Sequence, residues 1–138
     1  MKNSYVLDAC ALIAYLSDES GADIVAGLLD EAVADTIGIV MNKFNLLEVY
    51  YNYYRVYGET AANEIILEIK QSPIAVIADI SDAVFMEAGK LKAAYRISIA
   101  DSIALAEAIV ADGYLVTSDH HELDAIDSKG VAKILWIR

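Results

Sequence analysis

The sequence has almost nothing with which to cross-link or break a chain. Its 138 residues include a single cysteine, Cys10, so no intramolecular disulfide can form and nothing points to an oxidising compartment. One proline and seven glycines exclude collagen-like and low-complexity chains. Positive charge is also scarce. Ten Lys and Arg stand against 21 Asp and Glu, a net charge of −11 that opposes binding a polyanion by broad electrostatic attraction. Phosphate chemistry on such a chain requires bridging cations. No apolar run approaches the roughly 20 residues of a membrane span. The first 16 residues pair Lys2 with apolar side chains, but Asp8 interrupts them and no small-residue cleavage site follows, so the expectation is a cytoplasmic protein with no membrane partner.

What is present is apolar: 57% of the residues are hydrophobic. A chain of this length buries about 70% of its unfolded surface, which predicts a single domain over 1–138. Short runs of β-formers at 5–7, 37–41, 74–77, 114–117 and 133–137 are separated by gaps long enough for helices, the alternation of an α/β fold with a mostly parallel sheet of about five strands. Helices are predicted over 9–17, 22–34, 44–57 and 60–71, the third stopping at Gly58 and the fourth capped by Thr60. Pro73 blocks continuation of the fourth. Two more are predicted, one capped by Ser81 or Asp82 and running to about Tyr95, the other capped by Ser98 and ending near Gly113. Ser98 and Asp101 have the S-x-x-D form of a capping box, which places Asp101 in a first helical turn. Ala100, Ala104 and Ala108 give that helix a small-residue face for close packing.

Ligands of open parallel sheets bind beyond the carboxyl ends of the strands, and acids dominate those positions here. Asp8 follows the first strand, Glu48 lies about one turn into the helix after the second, Asp101 begins its helix, and Asp119 comes two residues after the fourth strand. Carboxylates gathered at one edge raise one another's pKa unless a cation sits among them. An oxygen-only set without His or Cys favours Mg²⁺ or Mn²⁺ over Zn²⁺.

These residues resemble the PIN domain family, particularly its toxin ribonucleases of the VapC type. The resemblance rests on Val6-Leu7-Asp8-Ala9-Cys10-Ala11-Leu12, Asn45-Leu46-Leu47-Glu48, Ser98-Ile99-Ala100-Asp101-Ser102 and Leu115-Val116-Thr117-Ser118-Asp119-His120, in order along the whole chain. It implies a three-layer PIN-like fold and metal-dependent endonucleolytic hydrolysis of RNA phosphodiester bonds. Asp8, Glu48, Asp101 and Asp119 would be the catalytic, metal-binding acids holding Mg²⁺ or Mn²⁺. Thr117 or Ser118 would support a ligand carboxylate or a phosphate. The implied partners are an RNA substrate, a cognate antitoxin protein of a type II toxin-antitoxin pair and a second copy in a homodimer. Where many relatives carry Ser or Thr shortly after the first acid, this chain has Ala9 and Cys10.

Blander readings compete at each position. Asp8 and Asp101 fit simple helix-capping roles, Glu48 fits a solvated helix face, and Asp79 and Asp82 read as loop and cap. His120 and His121 read as a solvated loop, Cys10 as a small buried residue. Tyr50, Tyr51, Tyr53, Tyr54 and Tyr57 read as a protein-contact surface in preference to an RNA-stacking platform, with Tyr50, Tyr54 and Tyr57 on one helix face and Tyr51 towards another. Lys43, Arg55, Lys90, Lys92 and Arg96 would have to supply any local basic patch for RNA. Two other functional classes remain open on the residues alone: a catalytically silent PIN-like binding module, and a phospho-receiver domain using Asp79.

Overall fold

The computed structural model describes residues 2–138. Five strands, β1 (Asn3–Leu7), β2 (Ile37–Asn42), β3 (Ile74–Ile77), β4 (Tyr114–Thr117) and β5 (Lys133–Trp136), form one parallel sheet in the order β3-β2-β1-β4-β5. This is the α/β architecture that the alternation predicts. Helices α1 (Ala9–Leu16) and α2 (Ala22–Val33) connect β1 to β2, and α3 (Lys43–Tyr57) and α4 (Glu59–Gln71) connect β2 to β3. On the return, α5 (Asp82–Ala94) and α6 (Ile99–Val110) lead to β4, and α7 (His120–Ser128) leads to β5.

Strand periodicity divides the apolar residues between two cores, because successive side chains of a strand point to opposite faces. Leu7 and Val116 pack with Leu12, Val25, Val49 and Ile69 from α1 to α4. Their neighbours Val6 and Leu115 pack with Val84, Leu91, Leu105 and Ile126 from α5 to α7. The chain steps outward from β1 in one direction and then from β1 to β4 in the other. The carboxyl ends of β1 and β4 therefore flank the point where strand order reverses, the usual place for a ligand crevice in such sheets.

Three local features differ from the sequence reading. First, α4 starts at Glu59 rather than at a Thr60 cap, and Gly58 alone separates α3 from α4, serving as the C-cap of one and the N-cap of the other. Its φ of +92° is what lets one residue make that turn, and it leaves α4 without a side-chain cap. Second, the Ser98 capping box is only half formed. Ser98 Oγ accepts from the Asp101 amide at 3.1 Å, but the Ser98 amide donates to Glu122 Oε2 of α7 at 3.2 Å, so it is not the Asp101 carboxylate that returns the bond. Third, His120 and His121 begin α7, a helix capped by Asp119, whose carboxylate accepts from the Glu122 amide. The short, polar run 119–124 carries too little periodicity to announce a helix. Elsewhere the predicted caps are in place, with Ser81 accepting from Val84.

Close approach of the turn before β4 to β1 requires a glycine at 113. A Cβ there would collide with the Ser4 carbonyl, whereas one at Gly38 would meet nothing within 4 Å. Gly113→Ala is expected to lower stability by about 1–3 kcal/mol, and Gly38→Ala to leave it unchanged or slightly raised. Urea midpoints of the two variants at constant m-value test this contrast.

Candidate active site

The site is built from the first polar residue beyond β1. Asp8 is 2% exposed, its amide donates to the Val116 carbonyl of β4, and its Oδ1 caps α1 by accepting from the Ala11 amide at 2.8 Å. A cap needs one carboxylate oxygen. The other, Oδ2, is buried with no hydrogen-bond partner. Burial pushes the Asp8 carboxyl up to about 7, with Asp119 and Glu48 adding like-charge repulsion and the neighbouring Thr117 hydroxyl and Ala11 amide opposing.

Asp101 is 9% exposed in the first turn of α6. Burial raises its pKa, and so do a hydrogen bond with Glu122 and the charges of Asp8, Glu122 and Asp119. The shared hydrogen bond acts in the opposite sense on Glu122, holding its carboxyl below the ordinary range. Because Ser98 is capped from outside its own helix, the Asp101 carboxylate is left free to face α7. Carboxylate oxygens of Asp101, Asp119 and Glu122 all lie within 4.8 Å of one another.

Glu48, half-buried on α3, is raised by burial and by the charges of Glu122 and Asp119. Asn45, one turn earlier and 1% exposed, ties α3 to α6 by donating from Nδ2 to the Ala100 carbonyl at 2.9 Å, one residue before Asp101. Fully buried Thr117 accepts from the Asp119 amide at 3.0 Å and so fixes the turn that presents Asp119. Ser118 contributes its backbone carbonyl to the His120 amide.

Of the four acids singled out in the sequence, Asp101 and Asp119 come together with Glu122 as a group of carboxylates within 4.8 Å of one another, while Asp8 and Glu48 lie outside that group but near enough for their charges to act on it. Glu122 was not among the residues the sequence pointed to. Its signal, an acid one turn after Asp119, becomes readable only once α7 is known to be a helix. Among the described residues, the only buried side-chain polar atoms without a partner are Asp8 Oδ2 and Asn45 Oδ1, and both belong to elements that build this cluster. Hard oxygen donors, repelling one another and with a bare buried oxygen among them, are chemically suited to an oxygen-preferring divalent cation.

Comparison with protein families matches residues 5–129 to the PIN domain. The chain belongs to the PIN domain family. Solved PIN-like structures superpose over nearly its whole length. The DNA-bound VapBC of Salmonella typhimurium has a TM-score of 0.75 at 12% identity, covering 100% of both chains. VapBC2 of Rickettsia felis, bound to a DNA fragment from its promoter, has a TM-score of 0.70 at 20% identity, covering 96% of this chain and 98% of that one. VapC20 of Mycobacterium tuberculosis, described as a sarcin-ricin loop cleaving toxin, has a TM-score of 0.61 at 14% identity, covering 88% and 94%. At these identities the likeness is one of fold. No curated protein sequence matches the chain.

Other side chains of this PIN domain sort around the acids. Cys10 is half-buried rather than buried; burial pushes its thiol up to about 12, with Asp8, Asp119, Asp101 and Glu48 adding to the shift, which disfavours the thiolate. His120 does not point at the cluster: its ring stacks on Trp136 at 3.9 Å, Nδ1 meets Asp124 and Nε2 meets the Arg138 carbonyl. Asp79 is exposed on the loop after β3, where its carbonyl accepts from Asn42 Nδ2, which gives a phosphoacceptor role no support. Along α3, Tyr50 packs edge-on against Tyr54, but Tyr57 pairs with Tyr53 rather than joining Tyr50 and Tyr54, while Arg55 lies over Tyr51. The basic residues expected as one patch are divided. Arg55 is occupied on α3, Lys43 lines clefts beside β3, and Lys92 and Arg96 line a groove at the α5–α6 turn.

An acid whose pKa is raised by folding stabilises the fold while protonated. That contribution is full below the unfolded value near 3.8 and is lost as pH rises through about 7. Asp8→Asn retains the cap oxygen and removes the buried charge. In EDTA it is expected to be more stable than wild type at pH 8, by roughly 2–4 kcal/mol, and to approach wild type at pH 4. Urea unfolding at the two pH values measures the difference.

Proposed function

We propose that this PIN domain is a divalent-cation-dependent endoribonuclease, the toxin of a type II toxin-antitoxin pair, acting on RNA in the cytoplasm. The observation that carries this reading is the gathering of Asp101, Asp119 and Glu122 carboxylates within 4.8 Å at the β1–β4 crevice, with Asp8, whose Oδ2 is buried and unpartnered, and Glu48 within electrostatic reach. Asp8, Asp101, Asp119 and Glu122 would hold Mg²⁺ or Mn²⁺, with Glu48 as a further ligand or a water-positioning group. When bound, such a cation supplies an acidified water and neutralises charge on a phosphoryl group undergoing in-line displacement.

The chain's own residues supply the geometry. Asp8 is held rigidly by its cap and its bond to β4, Thr117 sets the Asp119 turn, and Asn45 keeps Glu48 and Asp101 in fixed relation across α3 and α6. Among the described residues no helix is long and apolar enough to cross a membrane, which agrees with a cytoplasmic setting. The toxin-antitoxin complexes among the fold's solved neighbours support an antitoxin partner. Exposed apolar side chains support protein contacts in two places: Phe44, Phe85 and Met86 in one, Tyr51, Tyr54 and Tyr57 in the other. They offer surface for a homodimer as well as an antitoxin. Light scattering should then give twice the 15.0 kDa chain mass.

Cleavage of RNA by the purified protein should require Mn²⁺, cease in EDTA, and fall at least about a hundredfold in Asp101→Asn. Calorimetry should show Mn²⁺ binding to wild type and binding weakened about tenfold or more in Glu122→Gln. A protein that neither cuts RNA nor binds Mn²⁺ would be a silent binding module instead.

A further inference from the structure

A groove of about 690 Å³ opens directly off the acid cluster, lined by Lys92, Tyr95, Arg96, Ser98 and Glu122 along the α5–α6 turn. Its floor and the cluster share residues. Glu122 has a carboxylate oxygen within 4.8 Å of those of Asp101 and Asp119, and the Ser98 amide is held by Glu122 Oε2. Its rim is cationic in a protein with few cations: Lys92 and Arg96 are exposed, and Lys129 Nζ lies 5.2 Å from the Tyr95 ring centroid.

What distinguishes these cations is their place. Among the described residues, Lys2, Lys133 and Arg138 form ion pairs with acids and the other seven basic side chains form none; of those seven, Lys92 and Arg96 line the groove that also contains Glu122 of the acid cluster. They share the groove with Glu122, one of the clustered acids, and form no ion pair with it. Two unpaired cations next to a carboxylate cluster suit a ligand that carries repeated negative charge and threads from one to the other. A single-stranded RNA backbone has that character, with one phosphate available to the cluster and the next ones to the rim.

Resting on the nuclease reading, we propose that Lys92 and Arg96 form a docking subsite for RNA phosphates flanking the scissile bond, so that the α5–α6 groove sets the direction in which the strand leaves the acids. This subsite answers the difficulty posed by the net charge of −11: attraction is local and placed where the strand exits. Contacts of this kind fix register without reading base sequence.

The test uses a fluorescent single-stranded RNA, with anisotropy in EDTA over a range of salt and cleavage rates in Mn²⁺. Lys92→Ala/Arg96→Ala is compared with Lys43→Ala/Lys70→Ala, which makes the same change in net charge beside β3. The first variant should bind about tenfold more weakly, for all RNA sequences alike, with its log–log salt slope reduced by about 1.4. KM should rise with kcat unchanged, and the control should match wild type in every measurement. Equal losses in both variants, no loss in the first, or displacement of the RNA by polyglutamate as readily as by unlabelled RNA would overturn the subsite. If wild type cuts RNA while any of these is seen, only the subsite fails. If wild type binds RNA through Lys92 and Arg96 but never cuts it, the nuclease reading fails and the docking surface stands. If it neither binds nor cuts, both are lost.

Discussion

Like charges forced together at the carboxyl end of β1 are the constraint around which the molecule is organised. Asp8 is buried because β1 is the central strand and both of its faces are covered; its neighbours in sequence, Leu7 and Ala9, are core residues. The same burial that secures the strand desolvates the carboxylate, and Asp101, Asp119, Glu48 and Glu122 bring further negative charge towards it. Left alone, such a cluster opposes folding. The fold tolerates it because packing on both sides of the sheet is extensive and because protonation relieves part of the repulsion. The acids therefore contribute to the chemistry of the crevice at the expense of stability, a pattern expected of a functional site and not of a structural one.

Much of this was legible in the sequence because it rests on period and punctuation. The five strands stand out as short β-branched runs, and Gly58, Pro73, Ser81 and Ser98 mark helix ends by mechanisms that act locally. Asp8 and Asp119 are readable because each sits at a strand-to-helix boundary, where parallel-sheet proteins place their ligands, Asp101 because a cap puts it at a helix start, and Glu48 because it lies early in the helix after β2. What escaped the reading depends on contacts between distant segments. Glu122 lies on a helix whose polar sequence gives a weak signal, and its role as the external cap of Ser98 spans 24 residues. No local rule distinguishes a capping box closed by Asp101 from one closed by α7. The Tyr53–Tyr57 pairing is likewise a matter of packing, since the heptad-like spacing of the tyrosines allows either partner.

The exchange of caps at Ser98 links the two halves of the site. In a closed capping box Asp101 would spend its carboxylate on its own helix. Here α7 takes over that task, and Asp101 and Glu122 face each other across the crevice. The positions of two acids are thus fixed by a bond neither element could form alone. Asn45 performs the comparable task between α3 and α6. Rigid placement of oxygen donors from four different elements is what a cation with strict geometric preferences demands.

The stacking of His120 on Trp136 gives the molecule a built-in optical reporter. Trp136 is the only tryptophan in the chain, its indole Nε1 donates to Asp127 near the end of α7, and its ring is covered by an imidazole at the start of the same helix. Both ring nitrogens of His120 are engaged by oxygen acceptors that favour its charged form, and an imidazole stacked on an indole changes the surroundings of that ring. Emission from a single fluorophore therefore follows the seating of α7 against β5, and α7 is the segment that carries Glu122 and is capped by Asp119.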